Sequence, residues 1–152
     1  MFENDKGADF SECKKYRYSL QRKWNKKPLL LFIMLNPSTA DANIDDPTIK
    51  KCIYFSKKWG FGGIMVGNLF AYRSTDPKKL KKITDPQGAD NKRFIKKMVA
   101  KASTVICAWG NGYGPPPNYL KRLTELHYLK INKDGTPAHP LYLKRSLMYS
   151  KY

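Results

Sequence analysis

Three polar residues stand where apolar stretches give way to turns: Asn36 in Leu35-Asn36-Pro37, Asn68 in Gly67-Asn68-Leu69, and His139 in Ala138-His139-Pro140. A side-chain amide offers a donor and an acceptor side by side. That pair matches the Watson–Crick edge of a pyrimidine, so Asn68 is suited either to reading a base or to satisfying local backbone. Asn36 could hold a water or a ligand carbonyl, or close an Asx-turn around Pro37. A neutral imidazole can donate to an oxygen that becomes negative as a leaving group departs. His139 is placed for that role, its plainer alternative being a surface turn residue. The other histidine, His127, falls within a helical pattern and reads as packing or surface.

Asp41, Asp45 and Asp46 form a dense carboxylate cluster that could activate water or hold Mg²⁺. The simpler reading makes Asp46 a helix cap and Asp41 a turn anchor, and neither metal nor cofactor is expected. Gly110-Asn111-Gly112-Tyr113-Gly114 invites a phosphate-loop reading. It lacks the Walker Lys-Ser/Thr and the spacing of a dinucleotide fingerprint, and a tight turn before a helix accounts for it. Cys13, Cys52 and Cys107 are odd in number and lack metal-like spacing, which argues against a disulfide framework or a zinc site. Cys107 reads as core packing, and no Ser-His-Asp or Cys-His arrangement is legible.

The elements that must position these residues follow from periodicity. Tyr16, Tyr18 and Leu20 alternate with Arg17, Ser19 and Gln21 as in a strand. The continuous apolar run PLLLFIML suits a strand buried on both faces of a parallel sheet. Asp46-Pro47 starts a helix that stops at Gly60. IMVGNLF is a second buried strand, and after a basic loop DNKRFIKKMVAKAS is an amphipathic helix. TVICAW is a third buried strand, NYLKRLTEL a further helix and YLKIN a short last strand. The alternation predicts a three-layer α/β/α fold with a central, mainly parallel four-stranded sheet, plus an N-terminal strand. In such sheets ligands sit beyond the carboxyl ends of the strands. The segments Asn36-Pro37-Ser38-Thr39, Asn68-Leu69-Phe70, Gly110-Asn111-Gly112 and His139-Pro140 should therefore converge on one edge.

The 152 residues suit one domain, with residues 1–12 read as a loose arm. The longest apolar run, from Leu29 to Leu35, is far short of the roughly 20 residues of a membrane span. With an acidic N-terminus lacking an apolar leader, the expectation is a cytoplasmic monomer without a membrane partner. An aromatic content of 13% argues against disorder. The 29 Lys and Arg against 12 Asp and Glu give a formal charge of +17, a field that attracts nucleic acid or nucleotides. Only six of the 29 are Arg, however, and Lys is often just a solvated surface residue.

RYSLQRKW, IMLNPSTAD, DDPTIKKC, WGFGG, NLFAYRSTDP, WGNGY and DGTPAHPLYL resemble a widespread family of unknown function from bacteria, archaea and phages, over about residues 16–143. More distantly, the series LNPST, NLFAYR, a strand ending in WGN, and AHP is similar to the uracil-DNA glycosylase superfamily. That resemblance implies an N-glycosidase acting on a pyrimidine base in DNA or in a nucleotide. It implies that Asn36 positions water, Asn68 reads the base and His139 donates to the pyrimidine oxygen. Phe70 would receive the base, Ser38 and Thr39 would contact phosphate, and Arg73 would contact phosphate or the loop. The alternative is a non-catalytic nucleic-acid or nucleotide-binding module using the same pocket. A small-molecule enzyme, for which the charge is incidental, is a third.

Overall fold

Leu29–Met34 is apolar throughout because the strand it forms, β3, is covered on both sides. In the computed structural model, which describes residues 5–152, Leu30, Leu31, Phe32 and Ile33 have no exposed surface. Alternate side chains of a strand face opposite ways, and here they enter two separate cores. Leu30, Phe32 and Met34 pack with Ile49, Cys52 and Phe55 of helix α1 (Pro47–Lys58). Leu31, Ile33 and Leu35 pack with Ile95 and Met98 of α2 (Asn91–Lys101) and Leu120 of α3 (Asn118–Leu123).

Among the described residues the protein is α/β, built on a mixed sheet of seven strands. The others are β1 (Asp5–Phe10), β2 (Arg17–Lys23), β4 (Gly63–Asn68), β5 (Ala102–Cys107), β6 (His127–Tyr128) and β7 (Ser150–Lys151). Their order is β1-β2-β4-β3-β5-β6-β7. β3 pairs in parallel with β4 and β5, and β5 with β6. β2 joins β4, β1 joins β2, and β7 joins β6, all antiparallel. The expected four strands and an N-terminal strand thus omit β1 and β7. β1 occupies part of the segment read as a loose arm, whose residues 1–4 lie outside the described residues. It is an edge strand stabilised by backbone pairing and carries no apolar alternation to betray it. Among the described residues no helix is long and apolar enough to cross a membrane.

Local signals account for the boundaries. Asp46 caps α1, accepting the Ile49 N–H at 2.9 Å, with Pro47 in the first turn. Gly60, at φ +82°, lies just past the C-terminal end of α1. The basic loop contains a 3₁₀ turn, Pro77–Lys82, capped by Asp76. α3 stops at Leu123, short of the buried Leu126 that its apolar spacing includes. β6 likewise ends at Tyr128, after which Ile131 makes only a bridge to Pro137.

Gly62 lies where the chain enters β4, and its N–H donates to Pro28 O at 2.8 Å. A Cβ at this position would collide with the Lys27 backbone, which cannot yield as a flexible side chain does. Gly62→Ala is expected to cost about 2–3 kcal/mol, read as a lower urea midpoint at unchanged slope.

Candidate functional site

Parallel strands deliver their carboxyl ends to a common edge, and hydrogen bonds between loops shape the ground beyond it. The Leu69 and Phe70 N–H groups donate to Met34 O and Leu35 O, each at 2.9 Å, carrying the β3–β4 pairing past both strands. Ser74 N–H donates to Pro37 O at 2.9 Å, and Gly110 N–H to Pro137 O at 2.8 Å. Between these loops lies a cleft of about 320 Å³, lined in part by Asn36, Asn68, Asp46, Arg17, Trp109 and His139.

Asn68 ends β4 with only 1% of its surface exposed, and among the described residues neither its amide nitrogen nor its amide oxygen has a partner. An unpaired buried polar atom costs about 1–3 kcal/mol, so the fold sustains a loss here that a ligand would recover. The residue is held from behind. Asn91, fully buried at the start of α2, donates from Nδ2 to Asn68 O at 2.8 Å and to Leu69 O at 3.2 Å.

Asn36 is half-buried, and its Nδ2 straps the loop by donating to Pro37 O at 3.1 Å and Ser74 O at 2.9 Å. Its nitrogen is committed to the protein, which leaves Oδ1 as the atom able to accept from a water or ligand. His139 lies at the exposed mouth of the cleft. Its Nδ1 accepts the Leu141 N–H at 3.2 Å, which places the remaining proton on Nε2. Desolvation pushes the ring's pKa below the ordinary imidazole value, opposed by the Asp46 charge, so the native ring is neutral at pH 7.

The three carboxylates of the acidic cluster have different partners. Asp41 Oδ1 accepts the Asn43 and Ile44 N–H groups of its own turn. Asp45 pairs with Arg22, and Asp46, while capping α1, lines the cleft. Among the described residues no three His, Cys, Asp or Glu side chains gather as a metal-binding group. In the glycine-rich loop, Gly112 N–H donates to Asp134 Oδ2 at 3.1 Å, so a carboxylate of the protein occupies that donor. Burial pushes the Cys107 thiol up to about 12, which removes it as a nucleophile.

Of the residues expected at the site, Asn36, Ser38, Asn68 and His139 line one cleft. Thr39 is exposed and not among the lining residues. Phe70 also lies off the lining; it meets Tyr113, which does line the cleft, edge-on at 5.4 Å. Arg73 stacks 4.8 Å from the Phe10 ring centroid and donates to Lys14 O at 3.2 Å, so it too stands apart. Sequence reasoning missed Arg17, Trp109 and Tyr113. The available signal for Arg17 was its type: among 29 basic residues only six are Arg, and two of them, Arg17 and Arg22, fall in β2 and are each 2% exposed. Arg17 is also the cleft's one lysine or arginine, so the large positive charge resides on the surrounding surface.

No curated protein and no solved structure matches the chain. A family described as "Protein of unknown function (DUF1643)" matches residues 17–141, from the first residue of β2 to just beyond His139, and the chain belongs to that family.

Proposed function

We propose that the cleft takes a pyrimidine base, presented in DNA or as a nucleotide, and cleaves its N-glycosidic bond. The observation that carries this reading is the Asn68 amide, buried at the cleft with both polar atoms unpaired. A buried donor–acceptor pair discriminates strongly for ligands that complete it, because any other ligand leaves it orphaned. Trp109 and Tyr113 supply aromatic wall for a flat ring.

The bond from the sugar C1′ to the base nitrogen breaks with its electron pair passing to the base, and charge develops on the pyrimidine O2. His139 Nε2–H donates to that oxygen. Water adds to the oxocarbenium-like C1′ from beside Asn36 Oδ1, and Asp46 or solvent takes its proton. A base within a duplex must first leave the stack, at a cost of a few kcal/mol. The exposed lysines hold the flanking phosphates.

The test is base release from duplexes and single strands carrying uracil, mismatched thymine or 5-modified pyrimidines. Asn68→Leu is the informative variant. It is expected to abolish release and base preference while raising unfolding stability by about 1 kcal/mol, because it removes two orphaned polar atoms from the interior. A variant that loses stability and keeps base preference overturns the assignment. The commitment of Asn36 Nδ2 to Pro37 and Ser74 favours a second reading, a binding module without turnover. Salt-resistant binding of the same substrates with no release from any of them selects that reading.

A further inference from the structure

Arg17 is 2% exposed, yet its fork is only partly used. Nη1 donates to Ala40 O at 2.9 Å, Nε is buried with no partner, and no bond to Nη2 is formed among the described residues. No carboxylate of the described residues lies within ion-pairing distance, whereas Arg22, buried in the same strand, has Asp45 at 2.7 Å. Burial, with Arg22 and Arg73 nearby, brings the Arg17 pKa down to about 10 against the pull of Asp46. The group still carries its full charge at pH 7. A buried, incompletely paired guanidinium is costly unless something outside the chain completes it. Arg17 lines the same cleft as Asn68.

We infer that Arg17 is the anion receptor of the cleft and that its ligand carries a phosphate ester. Resting on the pyrimidine reading of Asn68, this assigns recognition of the substrate's phosphate, in a free nucleotide or within a strand, to one buried residue of the cleft. The planar edge of a guanidinium matches two phosphate oxygens, and such bidentate pairs are the strong ones. Ser38 and Thr48 place hydroxyl groups on the same cleft. One recognition atom set therefore reads the base while another, on a different strand, reads the phosphate.

The experiment is calorimetric binding of deoxyuridine, dUMP and a trinucleotide with central deoxyuridine, at 0.3 M salt to suppress diffuse attraction to surface lysines. In the wild type, dUMP or the trinucleotide is expected to bind at least roughly tenfold tighter than deoxyuridine. Which of the two does so separates a free nucleotide from a strand. Arg17→Gln should erase that advantage, Arg17→Lys should keep part of it, and Arg73→Gln should leave it intact. No advantage for either phosphate ester in the wild type overturns the inference, as does loss of the advantage in Arg73→Gln but not Arg17→Gln. If AMP binds as tightly as dUMP and the advantage still depends on Arg17, the receptor stands and the pyrimidine reading falls. Should the Arg17 variants not fold, the arginine Nε–H resonances of the wild type decide. dUMP must shift a solvent-protected one, and shifts confined to exposed arginines overturn the assignment.

Discussion

His139→Ala is expected to slow pyrimidine release by about 10²–10³-fold while leaving substrate affinity within a few-fold. The magnitude is that of one preorganised donor aimed at charge that appears only in the transition state, about 3 kcal/mol. The split between rate and affinity follows from the same point: a group that acts as charge develops contributes little to holding the ground state. His139 is suited to this because its proton is fixed on Nε2 by the Leu141 N–H, which Nδ1 accepts at 3.2 Å. Single-turnover base release under saturating enzyme separates the two effects. An equal loss of affinity with no change in the bound-state rate would place His139 in binding rather than chemistry.

The same ring sets a pH dependence. Its native pKa lies below the ordinary value, chiefly through desolvation, so the unfolded chain takes up this proton first as pH falls. The associated stability is fully present above the unfolded value of about 6.5 and is lost as pH falls through the native value. Release should therefore be insensitive to this group between pH 8 and 6.5 and decline further to the acid side. There a protonated Nδ1 can no longer accept the Leu141 N–H. His139→Gln should remove the acid limb attributable to this group from both the rate and the stability profiles. A limb centred at or above 6.5 in the wild type, absent in the Gln variant, would show that the native ring is not held neutral.

What the sequence discloses about this molecule is whatever burial imprints as period. The unbroken apolar run of β3 and the helical i, i+3 spacing of Ile95 and Met98 in α2 are consequences of faces packed against other elements, and the Asp46-Pro47 start of α1 is a local capping signal. β1, by contrast, is held by backbone pairing along an edge and needs no apolar face, and β7 has only two residues. The same division runs through the site. Asn36, Asn68 and His139 were legible because a polar residue closing an apolar segment is conspicuous. Arg17 was not, since it alternates in phase with Ser19 and Gln21, and its burial comes with a tertiary contact, the bond from Nη1 to Ala40 O in the loop after β3. Phe70 and Arg73 follow β4 closely in sequence, but turn geometry directs them to Tyr113 and Phe10, and nothing in residue type announces that.

Asp45→Ala is expected to destabilise the protein by about 3 kcal/mol, the largest single-residue stability effect we predict. Arg22, its partner at 2.7 Å, has a side chain only 3% exposed, against 18% for Asp45. The rest of the fork is already engaged: Nη1 donates to Gln21 O and Gly7 O, and Nη2 to Asp41 O and Ile44 O. Removing the carboxylate leaves a cation that has neither water nor a counter-ion, and breaking a buried pair from one side typically costs about 3–5 kcal/mol. Removing both charges costs less, so Arg22→Met with Asp45→Leu should recover much of the loss, and a double-mutant cycle in urea should return a strong coupling. The consequence reaches the cleft because Arg22 fastens β2 to the loop that delivers Asp46, the cap of α1 and a wall of the site. Asp45→Ala should accordingly weaken dUMP binding even at temperatures where the fold persists. A loss below about 1 kcal/mol with unchanged binding would show instead that water reaches Arg22 and screens the pair as it does on a surface.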